Sequence, residues 1–330
     1  MEEPSVGGRI GRRRFLRWGL GLGVVALAAY RFLPVKRLVI ASTPGTPRKR
    51  IAPPPSAPPV PSVAPTGSSE IPVQLCSVRG GTVADRVRTA FENIGLDSRV
   101  TKGTKVVLKV NLLQASKKAC NVPEFVGALA KEFLDRGAEV LVADSSSGGS
   151  TRQAAEHTGL LKVCDEVGVP FKVLEDSERV AVDVPNSLRL SSVNVAKEVM
   201  DADLLVSVPK LKLHGQSIIT LGMKNMMGTI HRFEMKDFHM DIQSSVADLM
   251  RVVPPDVVFI DGTEAMVTGG PMNGRMEQRD LVIAGYDVVA VDAAGSRELD
   301  IDPMGVGYIV NAQNAGIGSM EPASSRDIKL

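Results

Sequence analysis

Two kinds of hydrophobic pattern alternate along most of this chain. Short apolar runs, some with period two, are followed by stretches with the 3.6-residue spacing of an amphipathic helix. Ile71–Val78 predicts a strand, which Gly80-Gly81 ends. Thr82 predicts the cap of a helix running to Ile94, with Val83, Val87, Phe91 and Ile94 on one face. Lys105–Leu113 predicts a mostly buried strand, and Pro123 opens a helix to Arg136 that Gly137 closes. Ala138–Ala143 predicts a strand ending at Asp144, followed by a helix from about Thr151 to Val167. Val169–Leu174, Asp203–Val208, Val257–Asp261 and Leu281–Ala284 predict further strands, with helices near 241–253, 287–298 and 304–315. This alternation predicts an α/β fold: a mixed, largely parallel sheet flanked by helices.

Before residue 71 the pattern changes. Gly11-Arg12-Arg13-Arg14-Phe15-Leu16-Arg17 precedes an uncharged apolar run from Trp18 to Ala29. That run is too short for an ordinary spanning helix and reads as an export signal. Arg12-Arg13-x-Phe15-Leu16-Arg17 resembles the twin-arginine pattern, which directs export of folded proteins. Ala26-Leu27-Ala28 offers a small-residue cleavage site, whereas Arg31, Lys36 and Arg37 flank a second apolar stretch and favour retention as an anchor. Nine prolines lie between Pro44 and Pro65, a composition that stays extended and forms neither helix nor sheet. The expected organisation is a signal or membrane anchor over 1–40, a Pro-rich flexible linker over 41–70 and a folded body over 71–330. The expected location is periplasmic or otherwise extracytoplasmic, either soluble or in membrane contact through residues 16–40. The export machinery is the implied partner.

Charge supports this division. The net charge of +2 hides eleven Lys/Arg against two acids in residues 1–50, leaving 28 basic and 35 acidic side chains in the rest. The basic character therefore belongs to the tail. An acidic body with 4% aromatics argues against nucleic-acid binding. Cys76, Cys120 and Cys164 are widely spaced, which excludes a self-contained four-cysteine iron–sulfur or zinc site.

Candidate chemistry collects at predicted strand ends, where open α/β sheets bind ligands. Lys109 and Asn111 end one strand, and Asp144 and Ser145 open the small-residue loop to Ser150, which could cradle a phosphate or carboxylate. Lys210, Lys212 and His214 alternate with leucines, so a continued strand places them on one face for an anionic ligand. Lys224-Asn225 adds a cation and an amide between glycines. His214, His231 and His239 fall within 26 residues, with Asp261 and Asp292 as carboxylates that could join them around a divalent metal. None of these spacings is diagnostic of a metal site. Nine of the thirteen methionines lie between Met223 and Met276, as core filler or as soft ligands. Gly269-Gly270-Pro271 with Gly274 reads as a turn or as a loop admitting close ligand approach.

The order of these pieces resembles the DUF362 family, a domain of unknown function. The resemblance rests on Lys109-Val-Asn111, Asp144-Ser-Ser-Ser and Pro209-Lys210-Leu-Lys212-Leu-His214. It continues through Leu221-Gly-Met-Lys224-Asn225-Met-Met-Gly228, His239, Asp261-Gly262, Gly269-Gly-Pro271-x-x-Gly274 and Val289-Ala-Val-Asp292-Ala. It covers about residues 71–320. The family usually has Lys-Pro-Asn where Val110 stands here. Relatives called iron–sulfur center proteins carry an added ferredoxin-like segment; this chain lacks those cysteines, so no cluster of its own is expected. The resemblance implies a shared polar site and leaves the reaction open.

Three functions are compatible with these residues. The first is an enzyme on a small anion. In it His214, His239 and Lys224 are the catalytic candidates, Lys109, Asn111, Asp144, Ser145, Lys210, Lys212 and Asn225 hold the ligand, and His214, His239, Asp261 and Asp292 are the metal candidates. The second is an exported metal- or cofactor-binding accessory protein. The third is a redox partner of an iron–sulfur protein.

Overall fold

A computed structural model describes residues 73–330 apart from 147, 232 and 233. The expected signal or anchor over 1–40 and the Pro-rich linker over 41–70 lie outside the described residues, as do Ile71 and Pro72. Twelve strands are described. β1 (Leu75–Arg79), β2 (Lys105–Lys109), β3 (Glu139–Asp144), β4 (Phe171–Val173), β7 (Leu204–Ser207), β10 (Val257–Met266), β11 (Met276–Gly285) and β12 (Ser325–Lys329) form one sheet in the order β12-β1-β11-β10-β7-β2-β3-β4. The run from β10 through β7, β2 and β3 to β4 is parallel, whereas β11 is antiparallel to both β1 and β10. The sheet is thus mixed and largely parallel, as the pattern predicts. β8 (Lys210–His214) joins β10 and carries β9 (Ile218–Thr220) as a hairpin. β5 (Arg179–Asp183) and β6 (Ser192–Ala196) pair as a separate hairpin.

Both faces of the sheet are buried, so its central strands are apolar throughout. In β2, Val106 and Leu108 join the core shared with α1 (Val83–Asn93), α2 (Pro123–Leu134), α3 (Thr151–Thr158) and α4 (Leu160–Val167). Val107 faces the opposite core, which contains residues of α5 (Gly222–Asn225), α6 (Met235–Met240), α7 (Ile242–Met250), α8 (Val288–Glu298) and α9 (Gly307–Asn314). The Met-rich stretch supplies Met223, Met226, Met227, Met235 and Met250 to this second core, so most of it is packing.

Local signals explain most boundaries. Thr82 caps α1 in a reciprocal capping box with Asp85, and Pro123 occupies the first turn of α2. The predicted helix over 151–167 is two helices, because Gly159 adopts φ 90° and breaks it. The predicted strand Lys105–Leu113 stops at Lys109. Beyond it, the Asn111 N–H donates to Asn121 Oδ1 at 2.6 Å and the Leu112 N–H to Asp144 Oδ2 at 2.6 Å. These side chains take the donors that a sheet ladder would use. β10 and β11 run longer than predicted, since a register shift between Gly262 and Glu264 carries their pairing past the polar residues.

The topology positions the site. β2, β7 and β3 lie side by side, with Lys109 in register with Ser207 and Ala143, so Lys109, Ser207 and Asp144 arrive at one carboxyl edge. β7 pairs β10 at Val257 and Val258, and β8 pairs β10 further along at Asp261 and Met266. β8 therefore extends past that edge and forms a wall beside it. Among the described residues no helix is long and apolar enough to cross a membrane.

Candidate functional site

A cavity of about 120 Å³ opens at this edge. Lys109, Asn111, Asp144, Ser145, Lys212, His214, Lys224 and Asn225 line it, so eight residues singled out from the sequence come together. Lys210, Asp261, Asp292 and His239 are not among its lining residues.

Its foundation is a buried ion pair. Lys109 Nζ lies 2.5 Å from Asp144 Oδ1, with both side chains 2% exposed or less. Lys109 Nζ also donates to the Val110 carbonyl at 2.7 Å and to Asn225 Oδ1 at 3.3 Å. Asp144 accepts the N–H groups of Leu112 and Ser145 at 2.6 and 2.7 Å. Burial pushes Lys109 down and Asp144 up, and each charge pulls the other back. Gly228 covers the pair, and only a glycine fits. A Cβ there would stand 2.5 Å from both Asp144 Oδ1 and Lys109 Cε.

The short helix α5 presents Lys224 and Asn225, and its ends are tied down. Asp292 of α8 accepts the Gly222 and Met223 N–H groups at 2.6 and 3.0 Å. Burial pushes Asp292 up to about 7 while those two amides pull it down. Asn225 Nδ2 donates to the Lys109 carbonyl at 2.8 Å and to Ser207 Oγ at 3.1 Å, and Ser207 Oγ donates to the Gly222 carbonyl at 3.0 Å. Asn225 is therefore a brace between α5 and β2 as well as a lining residue.

The two β8 lysines differ. Lys210 is 3.6 Å from Asp261, whose Oδ2 also accepts the Val122 N–H at 2.8 Å and Asn121 Nδ2 at 3.4 Å. This second buried pair ties β8 and β10 to the loop before α2, away from the cavity lining. Lys212 is 1% exposed and donates to the Ala119 carbonyl at 2.5 Å. Among the described residues, neither Lys212 nor the half-buried Lys224 has a carboxylate within ion-pair distance. Burial pushes Lys212 down to about 7; Lys224 and Lys210 add to this, whereas Cys120 and Asp144 oppose it. Burial, followed by the charge of Lys109, pushes Lys224 down to about 8. Between about 7 and the ordinary 10.5, Lys212 binds less proton in the folded than in the unfolded chain. In that window its contribution makes stability rise with pH.

His214 is held neutral. Burial, then Lys224, Lys212 and His239, push it down to about 3. Its Nδ1 accepts the N–H groups of Gln216 and Ser217 at 3.1 and 3.3 Å, so the ring proton resides on Nε2. His239 instead pairs its Nδ1 with the Met235 carbonyl of its own helix at 2.5 Å. The expected metal set of His214, His239, Asp261 and Asp292 is not assembled. Both aspartates spend their oxygens on backbone amides, and one nitrogen of each histidine faces the backbone. Among the described residues no group of three or more His, Cys, Asp or Glu is placed to hold a metal ion.

The loop after β3 spends most of its hydroxyls on itself. Ser146 Oγ donates to the Gly148 carbonyl, Thr151 bonds Glu175, and Ser150 caps α3. Ser145 Oγ is different: with Asn111 Oδ1 and Thr220 Oγ1 it is buried at the cavity without a hydrogen-bond partner among the described residues. The glycine loop makes its close approach to protein backbone. A Cβ on Gly270 would stand 1.8 Å from the Leu213 carbonyl, and one on Gly274 would stand 1.7 Å from that of Thr268. This packing brings Pro271 and Met272 to the cavity beside Leu112, Leu113, Met227 and Met235. Ser207, Ala119 and Asn121 are not singled out from the sequence. Each is a single residue, Ala119 acting through its backbone carbonyl and Ser207 through a lone hydroxyl, and no spacing marks them.

Comparison with known proteins gives the family. The model of the domain of unknown function DUF362 matches residues 106–297. A thylakoid-associated protein of Synechocystis sp. is 30% identical over 254 residues, covering 73% of this chain and 77% of that protein. The chain belongs to the DUF362 family. Among solved structures, the lactate racemase apoprotein from Thermoanaerobacterium thermosaccharolyticum is similar with a TM-score of 0.43 and 13% identity. That similarity covers 70% of this chain and 58% of the racemase, so the chain spans just over half of that protein's length.

Removing one member of the Lys109–Asp144 pair leaves an uncompensated buried charge. Lys109→Met and Asp144→Leu should each lose about 3–5 kcal/mol in urea unfolding, and the double variant should lose less than the two losses combined. Additive losses would show that the pair is not coupled.

Proposed function

We propose that the cleft binds a small organic anion and moves a proton on it. The observation that carries this reading is the imbalance of charge at the cavity. Lys109 is neutralised by Asp144, but among the described residues neither Lys212 nor Lys224 has a carboxylate within ion-pair distance. An anion would supply the missing charge, with Lys224 as its anchor because a group titrating near 8 is mostly cationic at neutral pH. Ser145 Oγ, Asn111 and Thr220 Oγ1 are the free polar partners for its oxygens. Lys212, poised near 7, suits acid and base roles, and neutral His214 donates from Nε2. Lys109 and Asn225 act here by building the floor. The cavity's volume of about 120 Å³ corresponds to about four waters at roughly 30 Å³ each, which fits a small acid better than a nucleotide.

The tail supports a separate reading. The twin-arginine-like residues 12–17 favour export of the folded body, and the apolar residues up to 40 favour anchorage where they are not cleaved. The name of the thylakoid-associated relative fits contact with a membrane.

Calorimetric titration of the full chain with acetate, lactate, oxalate and inorganic phosphate tests the cleft. At least one should bind, and Lys224→Gln should weaken it by roughly tenfold or more, about 1.4 kcal/mol. Saturable binding unchanged by Lys224→Gln, or none by any of these anions at millimolar concentration, would remove the reading. Replacing Arg12 and Arg13 by lysine should leave the protein in the cytoplasm of a host with the twin-arginine route. Unchanged export would contradict that signal.

A further inference from the structure

Lys212 has the surroundings of an amine that reacts in its neutral form. Its side chain is buried to 1% exposure, and its one hydrogen bond among the described residues runs to the Ala119 carbonyl. The titratable groups acting on it are Lys224 and Lys210, which push it down, and Asp144 and the buried thiol of Cys120, which oppose them. Asp144 is already committed to Lys109, and Asp261 to Lys210. An ammonium at Lys212 therefore lacks a counter-ion of its own, and shedding its proton relieves repulsion from Lys224. A buried amine beside a second cation is the setting in which lysine becomes a nucleophile toward carbonyl carbon.

We propose that Lys212 forms an imine with a small 2-oxo acid whose carboxylate is held by Lys224. The inference rests on the anion-binding reading of the same cleft. The Nζ lone pair attacks the carbonyl carbon, and a C–N bond forms. The nitrogen, now positive, loses one proton as the carbonyl oxygen gains one, and His214, which lines the cavity, can hydrogen-bond that oxygen from its Nε2–H. The nitrogen then loses its second proton, the oxygen takes a second proton, and the C–O bond breaks to release water and complete the imine. The sum is amine plus ketone giving imine plus water, with no change of oxidation state, and hydrolysis reverses it. Protonated at nitrogen, the imine withdraws electrons from carbon 3 of the acid, so a proton there leaves more readily and an enamine forms. Met227, Met235 and Met272 line the same cavity and favour a short apolar chain as the other substituent of the carbonyl carbon.

Trapping tests this directly. Full-length protein is incubated with pyruvate or 2-oxobutanoate and sodium cyanoborohydride at neutral pH, then mapped by peptide mass spectrometry. The expected result is a stable adduct on Lys212, formed roughly tenfold faster than on any other lysine and roughly tenfold faster than with butanone, which lacks the carboxylate. Lys212→Arg should abolish the adduct, and Lys224→Gln should slow it. Mapping in the unaltered chain keeps the test valid if either variant fails to fold. Adducts spread evenly over exposed lysines, or an equal yield with butanone, would overturn the inference. So would the absence of any adduct. If small carboxylates still bind in that last case, only the imine is lost. If nothing binds, the anion site falls with it.

Discussion

Four lysines and two carboxylates share one water-poor region of this fold, and the rest of the site follows from that inequality. An ammonium removed from water needs a partner or must give up its proton. Asp144 serves Lys109 and Asp261 serves Lys210. Those pairs fix architecture: one joins β2 to β3, the other joins β8 and β10 to the loop before α2. Lys212 and Lys224 are left over, and they face the cavity. The paired and the unpaired lysines are thus sorted by the supply of carboxylates and not by their position in the motif.

The sorting also explains the density of small residues around the site. Gly228 lets the backbone lie on the Lys109–Asp144 pair, and Gly222 brings the start of α5 against Asp292. A side chain at Gly228 would push against the ion pair, and one at Gly222 would push Asp292 off the amides it accepts. Asp292, read from the sequence as a site or metal residue, acts one step back, by holding the two N-terminal amides of α5. Asp261 likewise acts through the Val122 amide and Lys210. These acids position the groups that line the cleft without lining it themselves.

The sheet, its helices and the edge that carries the site were legible in the sequence because they follow from periodicity. Thr82, Pro123 and Asp144 mark their boundaries by local chemistry that any chain would obey. The Lys210–Lys212–His214 alternation does lie on a strand, but on β8, separate from β7, and not on a continuation of it. It could not show that Asp261 would claim Lys210 while Lys212 went unclaimed, since partners arrive from other strands. The β5–β6 hairpin and β12 escaped for a similar reason: their half-exposed residues carry weak hydrophobic contrast, and pairing decides them. Ser207 and Asn121 carry no pattern at all. The metal expectation came from closeness in sequence, which the register of β8, β10 and α8 does not convert into closeness of free donor atoms.

The site turns on Lys212, an amine with no carboxylate within ion-pair distance among the described residues. The most direct measurement is an NMR pH titration of the full chain with 13C-labelled lysine side chains, the Lys212 signal assigned by substitution. The account predicts a Lys212 midpoint near 7, with Lys224 near 8 and exposed lysines near the ordinary value of about 10.4. Saturation with a bound carboxylate should move Lys212 upward, because the new charge offsets Lys224. A Lys212 midpoint indistinguishable from that of the exposed lysines would contradict it.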